Sequence, residues 1–145
     1  MLERFEKSWH QNCFTRYQIK HILENSDIIV ILGASDNPLR PSYLTEKLLE
    51  NKGYKTLNIP YGQQEAMLNE NTMVKHEDKT IAIFLKPNQQ KKYYDYIMSM
   101  KPTRIIFNPG TENEELRLLA IHNNIRVLSG CTIALAMNSL LYKSL

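Results

Sequence analysis

Cysteine is almost absent from this chain. The two that occur, Cys13 and Cys131, lie near opposite ends of the 145 residues. No Cys-x-x-Cys pair exists, and His10, His21, His76 and His122 are scattered singly. The sequence therefore offers neither a disulfide framework nor a metal-ligand spacing, which predicts no metal site and a reducing, cytoplasmic home. Apolar runs stop at about five residues, far short of the ~20 that a membrane span needs. Met1-Leu2-Glu3-Arg4-Phe5-Glu6 is charged and lacks the apolar stretch of a signal peptide. Charge of a single sign is also in short supply. Eighteen basic residues face 15 acidic ones, a net charge of +3. The densest basic run, Lys86 to Lys92, holds only three lysines. A nucleic-acid-binding surface concentrates its cations more than this. Neither nucleic acid nor membrane is an expected partner.

What the chain does have is one apolar run ending in an unusual loop. Ile28-Ile29-Val30-Ile31-Leu32 is β-branched at four of its five positions, as a strand covered on both faces should be. Gly33 follows and permits a turn that a Cβ would obstruct. Ala34 to Arg40 is a short polar loop with one arginine, and Pro41-Ser42 reads as a helix start. Such a loop brings backbone N–H groups and a positive helix end to one place, which suits a phosphate.

The rest of the chain repeats that unit. A helix is expected from about Ser42 to Asn51, with Leu44, Leu48 and Leu49 inward and Lys52-Gly53 ending it. Strands are expected at Lys55–Ile59, Thr80–Leu85, Arg104–Phe107 and Ile125–Leu128, with a further short one at Thr72–Val74. Helices are expected at Gln89–Met100, from the Thr111 region to His122, and at Thr132–Tyr142. Thr111 and Glu114 have the spacing of a capping box. Leu116, Leu119 and Ala120 should face inward. Strand and helix alternate with short connections, which predicts one α/β domain over 28–145 with a mostly parallel sheet and helices on both faces. Residues 1–27 form an extension. Its Arg16–Asn25 segment reads as a helix, and Phe5, Trp9, Phe14 and Tyr17 give it aromatic weight. Packing on the outside of the domain, a dimer contact and a cap over a ligand are all open to it.

In a parallel sheet of this kind ligands sit at the carboxyl ends of the strands. The loops there begin at Gly33, Pro60, Lys86, Asn108 and Ser129. Two familiar phosphate signatures are missing from them. A Gly-x-Gly-x-x-Gly run from Gly33 would need glycine at positions now held by Ser35 and Pro38. Asn58-Ile59-Pro60-Tyr61 supplies no acid for a ribose diol, which disfavours NAD. No Gly-Lys-Ser/Thr occurs either.

The combination Gly33-Ala34-Ser35 with Arg40-Pro41-Ser42-Tyr43 resembles the opening of the small CoA-binding proteins. These are single Rossmann-like domains of three layers, similar to the CoA-binding domain of the succinyl-CoA synthetase α subunit. Gly53 to Pro60, Leu85-Lys86-Pro87, Ile106 to Gly110 with Glu114-Glu115, and Gly130-Cys131 continue the resemblance, in order, over about residues 15–137. It implies a Rossmann-like sheet of about five strands and a site for the ADP half of CoA, or for another ADP-containing nucleotide. The backbone of Ala34 and Ser35 would face the pyrophosphate beside Gly33. The Ser35 hydroxyl and the Arg40 guanidinium would add charge-assisted hydrogen bonds. Ile59, Pro60, Leu85 and Pro87 would flank the adenine. Lys86 would approach a phosphate, and Asn108 would close the strand at the groove. Relatives often place a basic residue just after the second strand, where CoA carries its 3′-phosphate. Tyr61-Gly62-Gln63-Gln64 has no positive charge.

Each of these residues also has a plain structural use. Ser35 serves a turn, Asn108 stops a strand, Lys86 is a surface charge and Cys131 is a small residue before a helix. Arg40 reads either as a solvated surface arginine or as the partner of a bound anion. A cation at a helix start is electrostatically unfavourable unless an anion joins it. The expected function is a binding module for CoA with no catalytic residue of its own. The alternatives are an accessory to an acyl-CoA ligase or synthetase and a degenerate scaffold acting through protein partners. An exposed sheet edge also makes a homodimer one expectation.

Overall fold

The computed structural model describes residues 26–63 and 78–143. The expected helix at 16–25, nearly all of the 1–27 extension and the short strand at 72–74 lie outside those residues.

Five strands form one sheet: β1 (Ile28–Ala34), β2 (Thr56–Pro60), β3 (Lys79–Ile83), β4 (Arg104–Phe107) and β5 (Arg126–Ser129). Their order is β2-β1-β3-β4-β5, and every pairing is parallel. The register aligns side chains in rows across the sheet. Leu57, Val30, Ile81, Ile105 and Val127 are successive partners on one face. Ile31, Ala82, Ile106 and Leu128 form the adjacent row, which faces the other way.

Helices cover both faces. The segment after β3 runs as α2 (Pro87–Gln90), a 3₁₀ turn (Lys91–Tyr93) and α3 (Tyr94–Met100). With α4 (Glu114–His122) it covers the Val30 row, through Tyr93, Ile97, Met100, Leu116 and Ala120. The opposite face is covered by α1 (Pro41–Asn51) and α5 (Thr132–Lys143), through Leu49, Leu135 and Ala136. A fully buried aliphatic side chain contributes about 1.5–3 kcal/mol, so these two cores carry the fold. The expected three-layer, parallel, Rossmann-like architecture is the observed one.

Several local expectations are corrected. Leu44 is 49% exposed, while Ser42 and Thr45 are the buried residues of the first half of α1. Thr45 donates its hydroxyl to the Pro41 carbonyl at 2.8 Å, so its polar atom is satisfied within the helix and the small side chain can face inward. Asn113, not Thr111, caps α4, accepting the Leu116 N–H at 3.3 Å. The Thr111 hydroxyl donates to the Asn108 carbonyl instead, at 2.7 Å. The third strand ends at Ile83, because Leu85 turns aside to lie over Gly33.

At the amino edge of the sheet, a buried Arg104 joins the segments entering β1 and β3. Its guanidinium donates to Asp78 Oδ1 at 2.6 Å, Thr80 Oγ1 at 2.7 Å and Ser26 Oγ at 3.0 Å. This cluster lies at the end of the sheet opposite the carboxyl ends of the strands.

Candidate functional site at the carboxyl edge

The strand order reverses at β1. The chain leaves β1 for β2 on one side, then returns to place β3 on the other. The helix after β1 and the helices after β3 consequently lie on opposite faces, and their connecting loops part above the carboxyl ends of β1 and β3. Ligands of open parallel sheets bind at such a switch point.

Gly33 lies at that point with φ +94°. The last rung joins Phe84 N–H to the Leu32 carbonyl at 2.8 Å, and the next residue, Leu85, closes onto Gly33. The β1–β2 register shifts between Leu32 and Ala34, so that Ala34 pairs with Pro60. The bulge redirects the chain out of the sheet into the polar loop.

That loop is held by its own short side chains. Ser35 Oγ accepts the Asn37 N–H at 3.1 Å, and Asn37 Oδ1 accepts the Leu39 N–H at 3.0 Å. The Asn37 carbonyl accepts the Arg40 N–H at 3.0 Å. These turns deliver Arg40 as the N-cap of α1 in an extended conformation, with Pro41 following. No side chain caps α1, and its first turn holds no acid. Arg40 is exposed and makes no ion pair among the described residues. An eleven-residue helix thus presents its positive end with a guanidinium beside it and no acid in its first turn, an arrangement whose electrostatics favour an anion.

The other expected site residues divide into two groups. Pro60, half-buried, and the exposed Lys86 and Pro87 line the carboxyl edge. Ile59 and Leu85 are buried within the core on the Val30 face. Asn108 is buried, and both ends of its amide are engaged. Nδ2 donates to the Ile83 carbonyl at 2.9 Å, and Oδ1 accepts the Thr132 N–H at 2.9 Å. It ties the end of β3 to the start of α5. Cys131 is half-buried just before α5.

Other residues at this edge escape sequence reasoning. Gln90 is fully buried and donates to the carbonyls of Leu85 and Thr111, both at 2.8 Å. Tyr93 is buried among apolar side chains, yet its hydroxyl accepts the Gly62 N–H at 2.6 Å. It anchors the loop after β2 to the turn after β3. Lys92, next to it, places its ammonium 3.8 Å from the centroid of the Tyr61 ring. A pattern that reads helix faces one at a time gives no signal for contacts between loops.

Among the described residues no cluster of His, Cys, Asp or Glu could hold a metal ion, and no helix is long and apolar enough to cross a membrane. The fold and site define a doubly wound parallel α/β protein with an anion-type loop at its switch point. The chain belongs to the CoA binding domain family, whose model matches residues 27–137. Solved structures resemble the chain in fold. An uncharacterized protein is 33% identical, with TM-score 0.66, over 79% of this chain and 97% of that one. A protein from Thermus thermophilus has TM-score 0.72 at 16% identity, over 86% of this chain and 98% of that one. A hypothetical protein from Pyrococcus horikoshii OT3 has TM-score 0.71 at 19% identity, over 89% and 94%. The latter two share the fold. No curated protein matches the chain.

Proposed function

We propose that this chain is a CoA-binding module that holds the ADP half of CoA at the carboxyl edge and performs no catalysis of its own. The observation that carries the reading is the start of α1, where Arg40 occupies the N-cap position, makes no capping bond with its side chain and has no neutralising acid in the first turn. Ala34 and Ser35 offer backbone N–H groups to the pyrophosphate. Arg40 adds a charge-assisted contact. The Ser35 hydroxyl already accepts from Asn37 and retains its own hydrogen for donation to a phosphate oxygen. Pro60 and Pro87 bound the adenine, over a floor supported by Ile59 and Leu85. Lys86 stands at the rim as a long-range attraction for the phosphates. Asn108 acts through position, by bracing β3 against α5. The cysteine usage supports a reducing cytoplasm as its setting.

Isothermal titration of the purified chain with CoA tests this reading. Binding is expected for the wild type. Arg40→Ala should weaken it about tenfold, the order expected for one hydrogen bond to a charged group. Absence of any binding heat at millimolar CoA would overturn it.

A further inference from the structure

Tyr61-Gly62-Gln63-Gln64, directly after β2, holds no cation, yet one stands over Tyr61. Lys92 comes from the 3₁₀ turn after β3, two strands away in the sheet. Its ammonium lies 3.8 Å from the Tyr61 ring centroid and 5.7 Å from that of Tyr93. Two features hold it there. Tyr93 is fully buried, which fixes the backbone of the turn. Its hydroxyl bond to the Gly62 N–H, at 2.6 Å, fixes the loop that carries Tyr61. The two rings lie 6.3 Å apart, tilted at 45°. Lys92 makes no ion pair among the described residues. It is also exposed, and its aromatic neighbour attracts it without neutralising it.

Tyr61 directly follows Pro60, and Pro60 is the register partner of Ala34. The ammonium therefore lies on the β2 side of the pyrophosphate loop. A ribose leaving that loop toward β2 would carry its phosphate toward this charge.

We propose that Lys92, seated on Tyr61, binds the 3′-phosphate of CoA and makes the site prefer CoA to 3′-dephospho-CoA. The assignment rests on the CoA-binding reading above. It adds a specificity determinant supplied by a different element from β2 and the Tyr61–Gln64 stretch that follows it. Lysine suits this use as a compact point charge on a flexible stem.

The test is titration of the full chain with CoA and with 3′-dephospho-CoA, for wild type, Lys92→Gln and Lys91→Gln. Wild type should bind CoA roughly tenfold more tightly than the dephospho form, as one charged hydrogen bond warrants. Lys92→Gln should bring the ratio near one while leaving the dephospho-CoA affinity unchanged, which also reports an intact fold. Lys91→Gln removes the same charge one residue away and should keep the wild-type ratio. Equal wild-type affinity for the two ligands would overturn the inference and leave the CoA reading standing. A preserved preference in Lys92→Gln, or a preference lost equally in Lys91→Gln, would overturn it as well. Failure of both ligands to bind wild type would remove the CoA reading and this inference together.

Discussion

Gly33 and Leu85 are packed so closely that a Cβ on Gly33 would lie 3.0 Å from the Leu85 side chain and 3.1 Å from its backbone nitrogen. The contact brings the loops after β1 and β3 together at the switch point. One glycine thus shapes both the end of β1 and the carboxyl edge of the sheet. Its φ of +94° is unfavourable for any residue with a Cβ.

Gly33→Ala should therefore destabilise the protein by about 1–3 kcal/mol, from backbone strain and overpacking combined. Urea denaturation measures this as a lower midpoint. CoA affinity should fall as well, because the loop that follows is displaced. An unchanged midpoint would mean that Leu85 yields freely.

Asn108→Ala should cost about 2–4 kcal/mol, the sum of two buried hydrogen bonds lost at once. The variant leaves the Thr132 N–H without its acceptor at the start of α5. Thermal unfolding would report the loss as a lower Tm. Asn108→Asp should be nearly as damaging, since a carboxylate cannot donate to the Ile83 carbonyl.

Asp78→Ala at the amino edge should cost about 3 kcal/mol or more, because it leaves the Arg104 charge buried without its counterion. Hydrogen exchange should show the greatest loss of protection at the starts of β1 and β3, which Ser26 and Asp78 join. CoA affinity measured below the unfolding range should stay within twofold of wild type, since the cluster lies at the opposite edge. A large affinity loss in the folded variant would show that the two edges are coupled.

Arg40→Ala should separate binding from stability. The side chain is exposed and caps nothing. Its removal should leave Tm unchanged while it weakens CoA. Removing a cation from a helix start is mildly favourable for stability in the absence of ligand. A large drop in Tm would assign Arg40 to the fold instead.

The sheet was legible in the sequence because β-branched runs between glycine and proline turns carry an unambiguous strand signal. Gly33 and the Arg40-Pro41 helix start were legible for the same local reason. The inward face of α1 was not. Counting apolar residues favours Leu44, whereas close packing selects Ser42 and Thr45, with the Thr45 hydroxyl satisfied by Pro41. The α4 cap was missed because Thr111 and Asn113 both suit an N-cap, and the choice depends on Asn108 taking the Thr111 hydroxyl. Lys92 over Tyr61 was invisible for a deeper reason. The two residues come from different loops, and only the β2-β1-β3 order brings them together.

The most direct test of the central claim is an NMR titration of the isotope-labelled chain with CoA, following backbone amides. The account predicts shifts concentrated at Ala34, Ser35, Arg40, Ser42 and Tyr61, with little change at Asp78 and Arg104. Shifts centred on the amino edge, or none at all at saturating CoA, would contradict it.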